Sequence, residues 1–159
     1  MKWQDIAKLI GSILACEGAG AIGSIFTTPA IPTWYATLEK PAFTPPNSVF
    51  APVWLTLYLL MGIAVFLVWR RGLRESGGKR AFALFWGQLV VNMLWSVVFF
   101  GLKSPLAGVV VIVILWLAIL FTIIRFFRVS EPAGWLLTPY ILWVSIASYL
   151  NIGVWLLNS

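Results

Sequence analysis

Five apolar runs, each close to the length of a bilayer crossing, constrain this chain more than any other feature. A helix needs roughly 20 residues to cross the hydrocarbon core. The runs fall at Ile6–Phe26, Val49–Trp69, Ala81–Leu102, Pro105–Ile124 and Trp135–Leu157. Hydrocarbon offers no partner to backbone N–H and C=O groups, so segments this long and apolar are predicted as helices rather than barrel strands. Apolar residues make up 61% of the sequence and charged residues 10%, against about 25% charged in a typical soluble domain. Too little polar surface remains to cover a soluble core. The expected architecture is an all-α integral membrane protein, one transmembrane domain of five helices spanning residues 1–159, with the lipid bilayer as its solvent.

The connections are uneven. Lys103–Ser104 is little more than a tight turn, so the third and fourth spans form an antiparallel hairpin. The first connection, Thr27–Ser48, is long and carries Pro29, Pro32, Pro41, Pro45 and Pro46. Such a segment in a small protein is commonly functional or a lid. Pro52, Pro105 and Pro139 fall near helix starts, where a missing N–H costs little. No internal repeat is evident, which argues against an inverted-repeat transporter. Met1–Lys8 is basic, but the apolar stretch beyond it runs on as a full span, so a cleaved signal peptide is not expected.

The net charge of +6 suggests nucleic acid until the charges are located. Lys2, Lys8, Arg70, Arg71, Arg74, Lys79, Arg80, Arg125 and Arg128 flank spans on one side; only Lys40 and Lys103 lie on the other. Basic residues so divided report membrane orientation, and no nucleic-acid partner is expected. The positive-inside rule puts the N-terminus in the cytoplasm of a prokaryotic cell, with the first connection and the C-terminus outside. The chain has no histidine and one cysteine, Cys16. That removes His-based metal sites, Ser-His and Cys-His nucleophiles and intrachain disulfides. No metal, cofactor or catalytic acid–base pair is expected.

A few polar residues inside the spans stand out. Glu17 is an acid deep within the first span, where a carboxylate costs on the order of 2.5–3.5 kcal/mol or more. It is either a proton or ligand contact or a neutral carboxyl bonded to a neighbouring group. Gln88 and Asn92 lie one turn apart, with Trp95 three residues on. Their face must look inward, as glue between helices or as the polar floor of a pocket. Ser12, Cys16, Gly20 and Ser24 recur every four residues, with Ala15, Ala19 and Gly23 beside them. Small-residue stripes let helices approach closely, within the bundle or in a homodimer; Ala83 and Gly87 offer a second such face. Of the ten tryptophans, Trp3, Trp34, Trp69, Trp135 and Trp155 sit near predicted interfaces. Trp54, Trp95 and Trp143 lie inside spans beside polar or small residues, where their flat faces suit a planar hydrophobic ligand.

Longer motifs are more specific. Trp34-Tyr35-Ala-Thr-Leu38-Glu-Lys40-Pro41-Ala-Phe-Thr-Pro45-Pro46 runs on into Val49-Phe50-Ala-Pro52-Val53-Trp54-Leu-Thr-Leu57-Tyr58 and Met61-Gly62. Gly87-Gln88-Leu89, Asn92, Trp95, Phe99-Phe100-Gly101 and Pro139-Tyr140-Ile-Leu-Trp143 follow in order. Together they resemble the tryptophan-rich sensory protein family, TspO, related to the mitochondrial translocator protein or peripheral benzodiazepine receptor. The resemblance implies a five-helix bundle whose first connection covers a pocket, and ligands such as porphyrins, isoquinoline or benzodiazepine drugs and, in animals, cholesterol. Carried over position by position, it implies a ligand site of Tyr35, Phe50, Ala51, Trp54 and Tyr58, with Asn92 and Trp95, and with Trp143, Ala147 and Leu150. The last three recur at helical spacing and can share one face. The resemblance implies binding, sensing or transport of porphyrins, with light-dependent porphyrin degradation using Trp54 and Trp143, or a structural role in the membrane, as alternatives. Two departures stand. Tyr149 is followed by no Lys or Arg, which argues against the cholesterol motif of animal members, and Glu17 belongs to none of the matching motifs.

The orientation is directly testable. Alkaline phosphatase fused after Ser159 should be active, and green fluorescent protein fused after Arg74 should fluoresce, in a bacterial host. The reverse pattern would overturn the charge-based topology.

Overall fold

The computed structural model describes residues 1–74 and 77–159. It contains five long helices: α1 (Trp3–Ala30), α2 (Asn47–Arg71), α3 (Gly78–Ser96), α4 (Pro105–Val129) and α5 (Glu131–Asn158). Each is long and apolar enough to cross a membrane. Contacts between α1 and α2, α2 and α5, α5 and α4, α4 and α3, and α3 and α1 close them into a ring.

The helices differ from the apolar runs mainly at their ends. Expected to stop at Phe26, α1 continues to Ala30 with Pro29 in its last turn. The connection to α2 is therefore residues 31–46, shorter than the 27–48 expected, with one 3-10 turn at Tyr35–Thr37. At its other end α2 terminates on Gly72, whose φ of 110° suits glycine. Helix α4 runs on to Val129 and α5 begins at Glu131, so the turn between them is far tighter than the apolar pattern suggests. Pro132 in the first turn and the acidic Glu131 at its start account for the early onset of α5. The end of α3 changes form: Val97–Gly101 makes a π-helical turn, and the Leu102 N–H donates to the Val97 carbonyl at 2.8 Å. The Ser104 hydroxyl then caps α4 by accepting from the Ala107 N–H at 3.3 Å.

The outward faces are apolar, as lipid contact requires: Leu14 and Ile25 on α1, Leu59 on α2, Val110 and Phe121 on α4, and Leu142 on α5 are all exposed. Buried residues centre on Met61, Val65, Phe85, Ile119, Phe126 and Tyr140. Small residues set the helix spacing. A Cβ on Gly62 would stand 2.7 Å from the Ile13 Cα, so α1 and α2 touch backbone to backbone there. The α1 stripe is largely spent inside the chain, with Ser12, Cys16, Ala19 and Gly23 buried. Ala83 and Gly87 stay on the outer surface of α3.

This spacing yields a paired expectation. Gly62→Ala forces two backbones apart and should lower the thermal midpoint in detergent, in line with an overpacking cost of about 1–3 kcal/mol. Gly87→Ala, with no atom within 4 Å of the added Cβ, should not. Circular dichroism melts of the two variants check the pair, and equal midpoints would contradict the close α1–α2 contact.

Candidate functional site

Helices α1, α2, α3 and α5, with the π turn and the connection after α1, border a cavity of about 420 Å³ at the end where α1 joins α2. Pockets of roughly 300–1,000 Å³, mostly apolar with a few polar groups, are the usual form of small-molecule sites.

One wall comes from α2. Phe50, Trp54 and Tyr58 recur every four residues, so one helical face presents all three to the cavity, with Ala51 beside them. Trp54 stacks on Tyr58 with ring centroids 5.6 Å apart and meets Tyr140 edge-on at 6.4 Å. The Tyr58 hydroxyl donates to Asn92 Oδ1 at 2.6 Å, and Asn92 Nδ2 donates to the Tyr140 hydroxyl at 2.7 Å. That hydroxyl in turn donates to Gln88 Oε1 at 2.8 Å. The chain fixes the Tyr58 ring from behind, and Tyr58 and Tyr140 hold the indole of Trp54 between them.

An adjoining wall comes from α5. Trp143, Ala147 and Leu150 line the cavity together, joined by Asn151 and Val154. The Trp143 ring meets Phe50 edge-on at 5.7 Å, which ties the α5 wall to the α2 wall. Its Nε1–H is buried without an acceptor among the described residues. From α3 come Trp95 and Ser96, and from the π turn Phe99 and Phe100. Trp95 stacks on Phe99 at 5.4 Å and donates through Nε1 to Asn151 Oδ1 at 2.9 Å. Consecutive Phe99 and Phe100 of the π turn both border the cavity.

The connection after α1 contributes Ile31 and Tyr35. Trp34 rests edge-on against Phe99 at 5.5 Å, and Tyr35 packs at a tilt against Phe100 at 5.8 Å. Burial pushes the Tyr35 phenol above its usual pKa, so the hydroxyl stays neutral. Farther along, the connection is tied to α5. The Tyr149 hydroxyl donates to the Ala42 carbonyl at 2.8 Å. The Asn158 amide accepts from the Glu39 N–H at 3.0 Å and donates to the Glu39 carbonyl at 2.8 Å.

Nine of the residues anticipated as ligand contacts therefore border this cavity: Tyr35, Phe50, Ala51, Trp54, Tyr58, Trp95, Trp143, Ala147 and Leu150. Asn92 is placed differently. It is 2% exposed and sits behind Tyr58, its amide occupied by two phenols. Gln88 and Asn92 thus glue helices together and do not floor the pocket. On α1 the sequence singled out only Glu17 as a possible contact, yet Glu17, Gly20, Ala21, Gly23, Ser24 and Thr27 all line the cavity. The i, i+3, i+4, i+7 spacing of Glu17, Gly20, Ala21 and Ser24 was the available signal. Gly20 is required there, because a Cβ would stand 2.5 Å from the Tyr58 ring. Among the described residues no three His, Cys, Asp or Glu side chains converge as a metal site would need.

Similar proteins extend along the whole chain. The model of the TspO/MBR family matches residues 12–156. The tryptophan-rich protein TspO of Archaeoglobus fulgidus is 46% identical, covering 98% of this chain and 100% of the relative. Protein CrtK of Rhodobacter capsulatus is 42% identical over 91% of this chain and 89% of its own. The human translocator protein is 37% identical over 92% of this chain and 87% of its own. The matches take in all five helices and every wall of the cavity, and the chain belongs to the TspO/MBR family.

Proposed function

We propose that this membrane protein binds porphyrins and related planar hydrophobic molecules in the cavity beneath the α1–α2 connection, in a sensing or transport role. The observation that carries the reading is a cavity of about 420 Å³ bordered by three indoles, Trp54, Trp95 and Trp143. Aromatic faces contribute roughly 0.5–1.5 kcal/mol per well-oriented contact beyond area burial, and a flat conjugated ring uses several at once. The names of relatives support the role: a tryptophan-rich sensory protein from Cereibacter sphaeroides and translocator proteins from mammals. With the basic loops in the cytoplasm, the cavity lies toward the outer face, and ligand enters beneath the connection.

Binding is measured by titrating detergent-purified protein with protoporphyrin IX in the dark and following the Soret band. Saturation near micromolar, about −8 kcal/mol, is expected, with Trp54→Phe and Trp143→Phe each weakening it several-fold. Non-saturable partitioning, or variants indistinguishable from wild type, would remove the porphyrin site. Illuminating the same samples reads out light-dependent degradation. Asn92→Leu should behave differently from the tryptophan variants. It leaves the Tyr58 hydroxyl and Gln88 short of partners at a typical cost of about 1–3 kcal/mol, so the melting midpoint should fall together with porphyrin affinity. Lost affinity at unchanged stability would instead make Asn92 a direct ligand contact.

A further inference from the structure

Glu17 is the residue that neither the fold nor the proposed porphyrin contacts use. It stands within membrane-spanning α1 and lines the cavity. An ionisable group at that depth needs a partner or must give up its charge. The cavity supplies none: among the described residues lining it there is no lysine or arginine. Lys40, on the nearby connection, has its ammonium on the Leu38 carbonyl at 3.1 Å and over the Tyr35 ring at 4.6 Å. Three hydroxyl donors on the wall are also committed, while the Trp143 Nε1–H has no acceptor among the described residues. Ser24 donates to the Ala21 carbonyl and Thr27 to that of Gly23, while Tyr58 donates to Asn92.

The rest of the lining is what an organic cation requires. Trp54, Tyr58, Trp95 and Trp143 border the same space, and aromatic faces attract cations through their ring quadrupoles, most strongly where water is displaced. Aromatic walls with a single carboxylate are a receptor for a flat cation. An anionic group placed beside the carboxylate is disfavoured by like-charge repulsion.

We propose that the cavity selects planar aromatic ligands bearing a protonated nitrogen, with Glu17 as the residue that confers the selection. This rests on reading the cavity as the ligand site, and it assigns that site a preferred charge. A porphyrin then lies with its ring among the indoles and its carboxylates toward the cavity mouth, away from Glu17.

Three probes on one ring test it: 9-aminoacridine, a cation at neutral pH; acridine, uncharged; and acridine-9-carboxylate, an anion. Each is titrated by fluorescence into wild-type protein in an uncharged detergent, beside Glu17→Gln and a protoporphyrin IX titration of both proteins. Wild type should bind the cation at least tenfold tighter than acridine, equivalent to about 1.4 kcal/mol, and the carboxylate most weakly. Glu17→Gln should remove the preference for the cation, with circular dichroism showing that the variant is folded. Equal affinity of wild type for cation and neutral ring would overturn the proposal, as would a preference retained in a folded Glu17→Gln protein. If that variant fails to fold, the wild-type series decides alone. Saturable porphyrin binding without charge discrimination sinks the selectivity and leaves the ligand site standing; saturation by no probe removes both.

Discussion

The structure depends on one constraint: hydrocarbon solvates no polar group, so polar side chains in the spans are stabilised by partners within the bundle. The Tyr58–Asn92–Tyr140–Gln88 chain meets that constraint with hydrogen bonds of 2.6, 2.7 and 2.8 Å joining α2, α3 and α5. Each such bond contributes on the order of 0.5–1.5 kcal/mol net, but its larger effect is directional. Rotating α3 about its axis would carry Gln88 and Asn92 toward lipid, so the amides fix which face of α3 looks inward. Once that face is set, Trp95 and the π turn beyond it are delivered to the cavity. The pocket is thus positioned in part by two amides, Gln88 and Asn92, that do not line it.

Small residues handle the contacts that hydrogen bonds do not. Between helices in lipid there is little hydrophobic driving force, so close packing carries much of the association. Gly62 admits the Ile13 backbone and Gly20 admits the Tyr58 ring. Gly108 lies against both Phe99 and the Asn151 amide, and that amide also holds Trp95 and the Pro105 carbonyl. Glycines thus let the same polar groups reach across helix boundaries, which makes packing and hydrogen bonding interdependent around the cavity.

How far the sequence foretold this differs by feature. The number and type of the spans were legible, because the bilayer sets a length and a composition that no soluble element imitates. Helix ends were less so: Pro29 reads as a loop residue but fits the final turn of α1, and Glu131 reads as loop but starts α5. Most cavity positions came through the resemblance to a family, because helices apolar all round carry little periodicity to show which face is inside. Asn92 was legible as inward-facing but not as buried behind Tyr58. The distinction turns on a tyrosine 34 residues away in sequence. Apart from Glu17, the α1 wall was overlooked because small residues at helical spacing look alike whether they meet another helix or open space. The π turn has no composition of its own, and only Phe99-Phe100-Gly101 marks its place.

The cavity also has a cost that its lining makes visible. Forgone packing in soluble cores amounts to about 24 cal/mol per Å³. For a volume of about 420 Å³ the upper bound is on the order of 10 kcal/mol, comparable to the entire stability of a typical domain, about 5–15 kcal/mol. Larger side chains at Ala21, Ser24, Ala51 and Ala147, all of which border the space, would recover part of it. Gly20 differs, since its smallness is already imposed by Tyr58. At the four other positions small side chains border open volume, and stability alone would favour filling it. Open space ringed by indoles, kept where bulk would stabilise, is the stability–function trade-off expected of a binding site.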